Sequence, residues 1–560
     1  MDAQKTRIIL IVALSFIIFT LFSNWQQQQP KSASNETSLS TETSAHFESE
    51  VPQINANRFN TSQQSNLNST SMINSAIKNP IEIETDVLRL KINPEGGDII
   101  YAELKEYLKD ESDSNKGVDL LAHSPTRNYI AQSYLIADQS SSTGPDNYNG
   151  QRALYQSDSL SYSLNDKEEL EVNLEWTSEN NIKFIKRFKF KKSQYLVDVE
   201  YWIENHSGQV WQGNAFYQLR REVDKKSLKK GFLTMQTFQG GAYYTPDKPF
   251  NKMSFDKMKS NPLNDQIRGG WVAMLEHYFI ATWVPSSDSL HQYYSKFSEP
   301  NIYKIGAVSA VQVPTEGQGV SKSQIYIGPE KADLLKEISP GLNLTVDYGI
   351  LWPISQCLFW LLKAIQDVVK NWGLAIILVT VCIKLVFYKL SAASYRSMGH
   401  MRRIQPKLQA LKERFGDDRQ GFSQAMMELY KKEKINPLGG CLPILLQIPV
   451  FIALYYVLLE SVELRQAPFM FWITDLSSKD PYYALPLLMG ATMFLQQKLS
   501  PAPPDPMQAK MMMFMPVIFT FLFMSFPAGL VLYWTVNNLL SILQQWYITR
   551  GLEKEGLKRA

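Results

Sequence analysis

Five apolar segments crowd the C-terminal part of this chain, at 372–390, 441–459, 482–495, 511–526 and 528–548. Each approaches the roughly 20 residues that a helix needs to cross a bilayer. Lipid offers the backbone no hydrogen bonds, so such segments must be helices that satisfy themselves. That pattern excludes an ordinary soluble globule. A sixth apolar run, at 8–22, follows Lys5 and Arg7. Phe22-Ser23-Asn24-Trp25 comes next rather than the small residues of a cleavage site. Residues 1–25 therefore read as an uncleaved anchor with a cytoplasmic N-terminus, a cleaved signal being the alternative.

Charge orients the spans. Arg396, Arg402, Arg403, Lys407, Lys412, Arg414 and further cations separate the first two segments of the C-terminal part. The loop at 461–481 carries only Arg465 and Lys479, whereas the tail at 550–560 adds Arg550, Lys554, Lys558 and Arg559. Positive-inside bias puts the basic loop and the tail in the cytoplasm. The expected fold is an α-helical polytopic membrane protein with six transmembrane helices. After the anchor, the five-helix core has spans at 372–391, 439–460, 482–499, 511–527 and 528–549, with a short cytoplasmic loop at 500–510. The net charge of +3 gives no reason to expect a nucleic-acid partner.

The preceding region differs in kind. Residues 26–80 are rich in Gln, Ser, Asn and Thr and poor in large apolar side chains. They cannot bury enough surface to offset the entropy of ordering, and read as a disordered linker. From 81 to 350 the pattern has period two. Tyr195, Val197, Val199, Tyr201 and Ile203 alternate with more polar neighbours, as do Leu170, Val172 and Leu174. Leu88, Leu90 and Ile92 do so before a turn at Pro94-Glu95-Gly96-Gly97. Repeated runs of this kind between Gly, Asn, Asp and Pro clusters predict a large all-β sandwich. The anchor places it in the periplasm. Its stability must come from its core, because Cys357, Cys382 and Cys441 all lie beyond it.

Residues 351–371 place Trp352, Ile354, Leu358, Leu361, Leu362 and Ile365 opposite Lys363, Gln366 and Asp367, which predicts an interfacial amphipathic helix. Within 392–438, Met401, Ile404, Leu408, Leu411 and Phe415 form one apolar stripe. Phe422, Met426 and Leu429 form another beyond Gly416-Asp417-Asp418. These predict a cytoplasmic helical hairpin, with Pro406 kinking its first helix. Its basic face has two readings, contact with anionic headgroups or a docking arm for substrates, ribosomes or targeting factors.

Polar residues inside the spans carry the functional signal. Lys384 lies within 372–391 with Thr380 one turn earlier. A mid-span lysine costs about 2.5–3.5 kcal/mol on insertion scales. It either snorkels to the nearby cytoplasmic end or faces protein and water. Gln447 sits between Pro443 and Pro449, Thr492, Gln496 and Gln497 share another segment, and Tyr533, Asn537, Ser541 and Gln544 form a stripe. Singly these serve as interhelical glue. Together they predict a cationic, water-filled groove open to the cytoplasm. No G-x-x-x-x-G-K-[ST], H-E-x-x-H or G-x-S-x-G motif occurs, and His123, His206, His277 and His291 lack metal-ligand spacing. No enzyme activity, metal or cofactor is expected.

Asn436-Pro437-Leu438-Gly439-Gly440-Cys441-Leu442-Pro443, Gln447-Ile448-Pro449-Val450-Phe451, Ser461-Val462-Glu463-Leu464-Arg465-Gln466-Ala467-Pro468-Phe469 and Phe526-Pro527-Ala528-Gly529-Leu530-Val531-Leu532-Tyr533-Trp534 closely resemble the bacterial YidC membrane-protein insertases. The resemblance spans the chain in order. It implies a hydrophilic groove closed towards the periplasm, with Lys384 as its charge where Gram-negative members often carry arginine; the guanidinium's fork is lost. It also implies that the β domain is similar to a sugar mutarotase. On this reading Lys384, Thr380, Gln447, Tyr533, Trp534 and Asn537 line the groove. Cys441, Leu445, Ile448, Pro449 and Leu522 contact the substrate helix. The partners are nascent inner-membrane proteins, lipid, the Sec translocon, and ribosome or signal-recognition machinery at the hairpin and tail. A small-molecule or lipid transporter would use a similar cavity, although the repeats common in transporters are not evident. A tethered sugar enzyme and a structural assembly factor are further alternatives.

Overall fold

The computed structural model describes residues 79–557, apart from 111–112, 114–115, 139–140, 142, 148–149, 224–236, 417, 434–441 and 501–505. The expected anchor at 1–25 and nearly all of the linker at 26–80 lie outside the described residues, as does Cys441.

Alternation builds many strands of the β domain, whereas Arg127–Ala137 and Phe279–Pro285 are buried on both faces. Tyr195, Val197, Val199, Tyr201 and Ile203 all turn inward, as do Leu88, Leu90 and Ile92. The described strands form a 10-stranded and an 8-stranded sheet. Pairing is antiparallel except between Ile81–Glu84 and Ser161–Ser163. At the centre of the larger sheet, Trp211–Glu222 pairs with Ile302–Val313 in the register Trp211↔Val313 and with Arg127–Ala137 in the register Gly213↔Ala137. The inward faces of both sheets meet in one apolar core containing Trp211, Trp271, Trp283 and Phe184.

One inward position breaks the pattern. Lys186, in the strand Ile182–Lys191, is fully buried between Phe184 and Phe188. Its ammonium donates to the carbonyls of Gly96 (2.9 Å) and Ser133 (3.4 Å). Arg152 joins them, donating to Asp98 (2.5 Å), Asp146 (2.8 Å) and both of those carbonyls. Gly96 and Gly97 take positive φ, and a Cβ at Gly96 would stand 2.1 Å from the Arg152 guanidinium carbon. Glycine there lets the turn close over the charged cluster.

The helical region comprises α1 (Trp352–Val369), α2 (Trp372–Val386), α3 (Tyr388–Arg403), α4 (Gln405–Phe415), α5 (Arg419–Lys432), α6 (Leu442–Glu460), α7 (Ala484–Leu499), α8 (Pro506–Phe523) and α9 (Ala528–Leu557). Its core draws Ile376 and Val379 from α2, Leu454 and Leu458 from α6, Met489 from α7, and Leu530 and Val531 from α9. By length and hydropathy no single described helix suffices to cross a membrane. Helices α2 and α3 pass that test only as a pair bent by 69°.

Three local expectations need correction. The segment at 372–391 is not one straight helix. It breaks at Phe387, and packing of Ala392 and Tyr395 against Ile548 of α9 holds the departing helix. Pro406 does not kink a continuous helix. It occupies the first turn of α4, where its missing N–H costs little, so Met401 belongs to the preceding helix. Ile404 and Leu408 pack against Tyr430 of α5, which makes the hairpin. Finally, α1 is apolar on two sides. Ser355, Leu358 and Leu362 pack inward while Trp352, Trp360 and Val368 are exposed.

The β domain meets the bundle at a polar joint. Arg465 donates to the Leu108 carbonyl (2.7 Å) and Gln466 does the same (3.1 Å). His277 bonds the Leu459 carbonyl (2.7 Å), and Lys363 pairs with Asp333 (2.6 Å). His291 is satisfied internally by Ser309 and Ser286. Among the described residues no group of His, Cys, Asp or Glu is arranged to hold a metal ion.

Candidate functional site: a polar seam in the helical bundle

Lys384 occupies the last turn of α2, immediately before the elbow at Phe387. The bend leaves it only two residues from the helix end. Its half-buried ammonium does not run out along that end. It turns across the bundle and donates to the hydroxyl of Ser541 on α9, at 2.7 Å. Ser541 in turn donates to the Asn537 carbonyl (2.8 Å), and Tyr395 of α3 lies beside it. Among the described residues no carboxylate pairs with this ammonium.

Helix α9 carries a second polar face beside the expected stripe. Asn538 donates to Thr492 of α7 (3.3 Å), and Gln545 donates to the Leu499 carbonyl (2.9 Å). Those bonds join helices. The other face carries Tyr533, Asn537, Ser541 and Gln544, whose amide reaches the Tyr388 carbonyl at 3.3 Å and steadies the elbow. Tyr533 and Asn537 are buried. The Tyr533 hydroxyl has the Gln447 side chain beside it but makes no bond of hydrogen-bond geometry. Trp534 is clamped edge-on against Phe451 (4.7 Å between ring centres) and near Phe523 (5.6 Å), and its indole N–H is buried and unpaired. The Tyr455 hydroxyl and the Gln497 carbonyl oxygen are unpaired as well.

Not every expected residue offers a free group. Thr380 is buried and its hydroxyl is spent on the Ile376 carbonyl of its own helix (2.6 Å), so it contributes shape rather than a free donor. Ile448 and Pro449 are half-buried on α6, and Leu522 is 36% exposed on α8. Leu445 lies in α6, its side chain outside the described residues, as Cys441 is altogether. Sequence reasoning missed Tyr395, Tyr455 and Asn538. Tyr395 lies beyond the elbow and ahead of the apolar stripe that begins at Met401; Asn538 sits beside Asn537 on α9, and Tyr455 lies on α6, eight residues beyond Gln447.

Chemically, the seam joins one unneutralised cation to orphaned donors and acceptors. Each unsatisfied polar atom is costly in a membrane unless water or another chain satisfies it.

A family profile described as "60Kd inner membrane protein" matches residues 364–555, and one described as "YidC periplasmic domain" matches residues 80–361. The membrane protein insertase YidC of Pseudomonas entomophila is 48% identical over 569 aligned residues, covering 100% of both chains. The chain belongs to the YidC family. The YidC of Stutzerimonas stutzeri is 47% identical over 99% of each chain. An active YidC insertase crystal structure shares 18% identity, covering 84% of this chain and 93% of that one at a TM-score of 0.38. The chain is thus an inner-membrane protein with a periplasmic domain, mostly β-sandwich, followed by a helical region.

Proposed function

We propose that this chain is a membrane-protein insertase that works through the seam between α2, α6, α8 and α9. The reading places six transmembrane helices in the inner membrane with both termini, the α4–α5 hairpin and the basic tail in the cytoplasm. The short polar tail of a nascent inner-membrane protein enters from the cytoplasm, drawn by Lys384. Gln447, Tyr533, Trp534 and Asn537 offer it polar partners at depth, with Thr380 shaping the wall. The substrate's apolar helix slides past Cys441, Leu445, Ile448, Pro449 and Leu522 and then partitions into lipid. Burial of about 20 apolar residues drives the transfer, so no ATP is required. The hairpin and tail would receive ribosome or targeting factors, and the Sec translocon would share larger clients.

The observation that carries this reading is the Lys384 ammonium, turned inward onto a neutral hydroxyl rather than a carboxylate. A carboxylate arriving at about 4 Å would gain several kcal/mol at an effective dielectric of about 20, before desolvation. Lys384→Gln should therefore slow insertion of clients with acidic tails, in vesicles carrying only this insertase, by about tenfold or more. Clients with neutral tails should be little affected, and Lys384→Arg should retain function. Equal rates for Lys384→Gln and the parent on acidic tails would remove the charge from the mechanism.

A further inference from the structure

The loop at 461–481 takes no part in the seam, yet its tip is unusual. The Phe469 N–H bonds to the Ile473 carbonyl (3.0 Å) and the Ile473 N–H to the Met470 carbonyl (3.1 Å). These bonds close a turn with Phe471 at its apex, at φ +55°. Phe471 is 91% exposed, flanked by Met470 and Trp472, which are also exposed. Tyr482 is 71% exposed, and Tyr483, also at positive φ, follows it.

The loop's carboxylates face the other way. Asp475 accepts from the N–H groups of Gln466 and Ser477 and from the hydroxyls of Ser477 and Ser478. Asp480 accepts from the Trp472 indole and from the N–H groups of Tyr482 and Leu485. The turn is fastened to the bundle through Asn371, which donates to the Phe469 carbonyl (3.1 Å). The Phe469 ring lies against Gly373 of α2, where a Cβ would stand 2.0 Å from it. A rigid turn thus holds a bulky residue in a left-handed conformation that bulky residues rarely adopt. In water its exposed ring would add a further penalty.

We propose that Phe471, Trp472, Tyr482 and Tyr483 form an anchor seated at the headgroup–acyl boundary of the outer leaflet, with phospholipid as its partner. The patch continues into apolar surface on both sides. Leu487 and Leu488 of α7 are exposed one turn after Tyr483, and Val368 of α1 is exposed just before Asn371. Aromatic side chains with a polar edge favour that depth. Lys384 lies 12 residues along α2 from Trp372, or about 18 Å at helical rise. In a hydrocarbon layer of about 30 Å, the anchor therefore sets the lysine slightly to the cytoplasmic side of the midplane. The choice of leaflet rests on the topology proposed above; the contact with lipid does not.

The test uses the full-length chain with its three cysteines replaced by alanine, a spin label at Phe471→Cys, and phosphatidylethanolamine–phosphatidylglycerol vesicles. Power-saturation EPR compares access of oxygen with access of a water-soluble nickel chelate. Nickel access at 471 should be about threefold or more below that of a label at Glu316→Cys on the exposed β domain. Oxygen access should be high. Adding Trp472→Asp with Tyr482→Asp should raise nickel access at 471 and shift the depth of a label at Lys384→Cys. Nickel access at 471 equal to that at 316 overturns the proposal. So does exclusion of both reagents that disappears on diluting the protein in lipid, which would mark a second copy as the occupant. External ascorbate reports the leaflet separately. Reduction of the 471 label only from the side opposite the β domain overturns the topology while leaving the depth result to decide lipid contact.

Discussion

Glu330 gives a sharp test of how the β domain is joined to the bundle. It follows the strand Gly317–Pro329, is 6% exposed, and one of its carboxyl oxygens is buried without a partner. Burial pushes its carboxyl well above the ordinary range; Glu460 and Asp347 push the same way, while Lys252 opposes them. Lys252 is itself paired with Asp347. The folded chain therefore holds a proton on Glu330 at pH values where the unfolded chain has released it. More protons bound in the folded state mean that this group's contribution to stability falls as pH rises above about 4.5, at up to about 1.4 kcal/mol per pH unit. Glu330→Gln fixes the uncharged form. At pH 8 it should stabilise by about 1.5–3 kcal/mol, the range for an uncompensated buried polar or charged group. That corresponds to a rise of about 3–6 °C in melting temperature, at about 2 °C per kcal/mol for a large domain. At pH 5 the difference should shrink towards zero. Thermal unfolding of the full chain in detergent, followed by tryptophan fluorescence at both pH values, measures it. A variant less stable than the parent at pH 8, or an advantage that does not shrink at pH 5, would refute the reasoning.

Other consequences follow from the same geometry. Gly373→Ala drives a methyl into the Phe469 ring and should cost about 1–3 kcal/mol, read as a lower melting temperature and faster hydrogen exchange at 466–473. Arg465→Ala removes the bond to the Leu108 carbonyl and the cation stacked 5.6 Å from the Phe279 ring. It should loosen the joint by about 1–2 kcal/mol, seen as increased exchange at Leu108 with the β-domain core unchanged. Burial lowers the Lys186 ammonium to about 7 against an ordinary 10.5, so the folded chain binds fewer protons than the unfolded one between those values. The parent's stability should gain as pH rises through that window. Lys186→Met abolishes the gain, and Arg152 still satisfies the Gly96 and Ser133 carbonyls. Its stability relative to the parent should be greatest near pH 6 and decline by pH 9 in paired thermal melts.

Period-two alternation exposed the β domain because many of its antiparallel strands are buried on one face, so the strands at 88–93 and 182–191 read directly as in and out. Lys186 was invisible to that logic. Its position says buried and its chemistry says exposed, and only the carbonyls of Gly96 and Ser133, far away in sequence, resolve the conflict. In the bundle, Lys384 and the stripe on α9 were legible because charged and amide side chains are rare inside apolar segments. The state of the Thr380 hydroxyl was not legible for a local reason: a threonine in an apolar helix can return its hydroxyl to the carbonyl four residues back, as this one does to Ile376, and periodicity does not reveal that choice.

Composition and periodicity by themselves determined the class of this protein: apolar segments with a biased distribution of cations, preceded by a domain of alternating strands. These are properties of local chain and solvent, so sequence carries them. Tertiary contacts decided where α2 ends, that Lys384 reaches Ser541 rather than the helix terminus, and that Phe471 is held outward while Asp475 and Asp480 turn in. Each of those outcomes depends on a partner supplied from another part of the chain, whose distance no reading of neighbours along the sequence can supply.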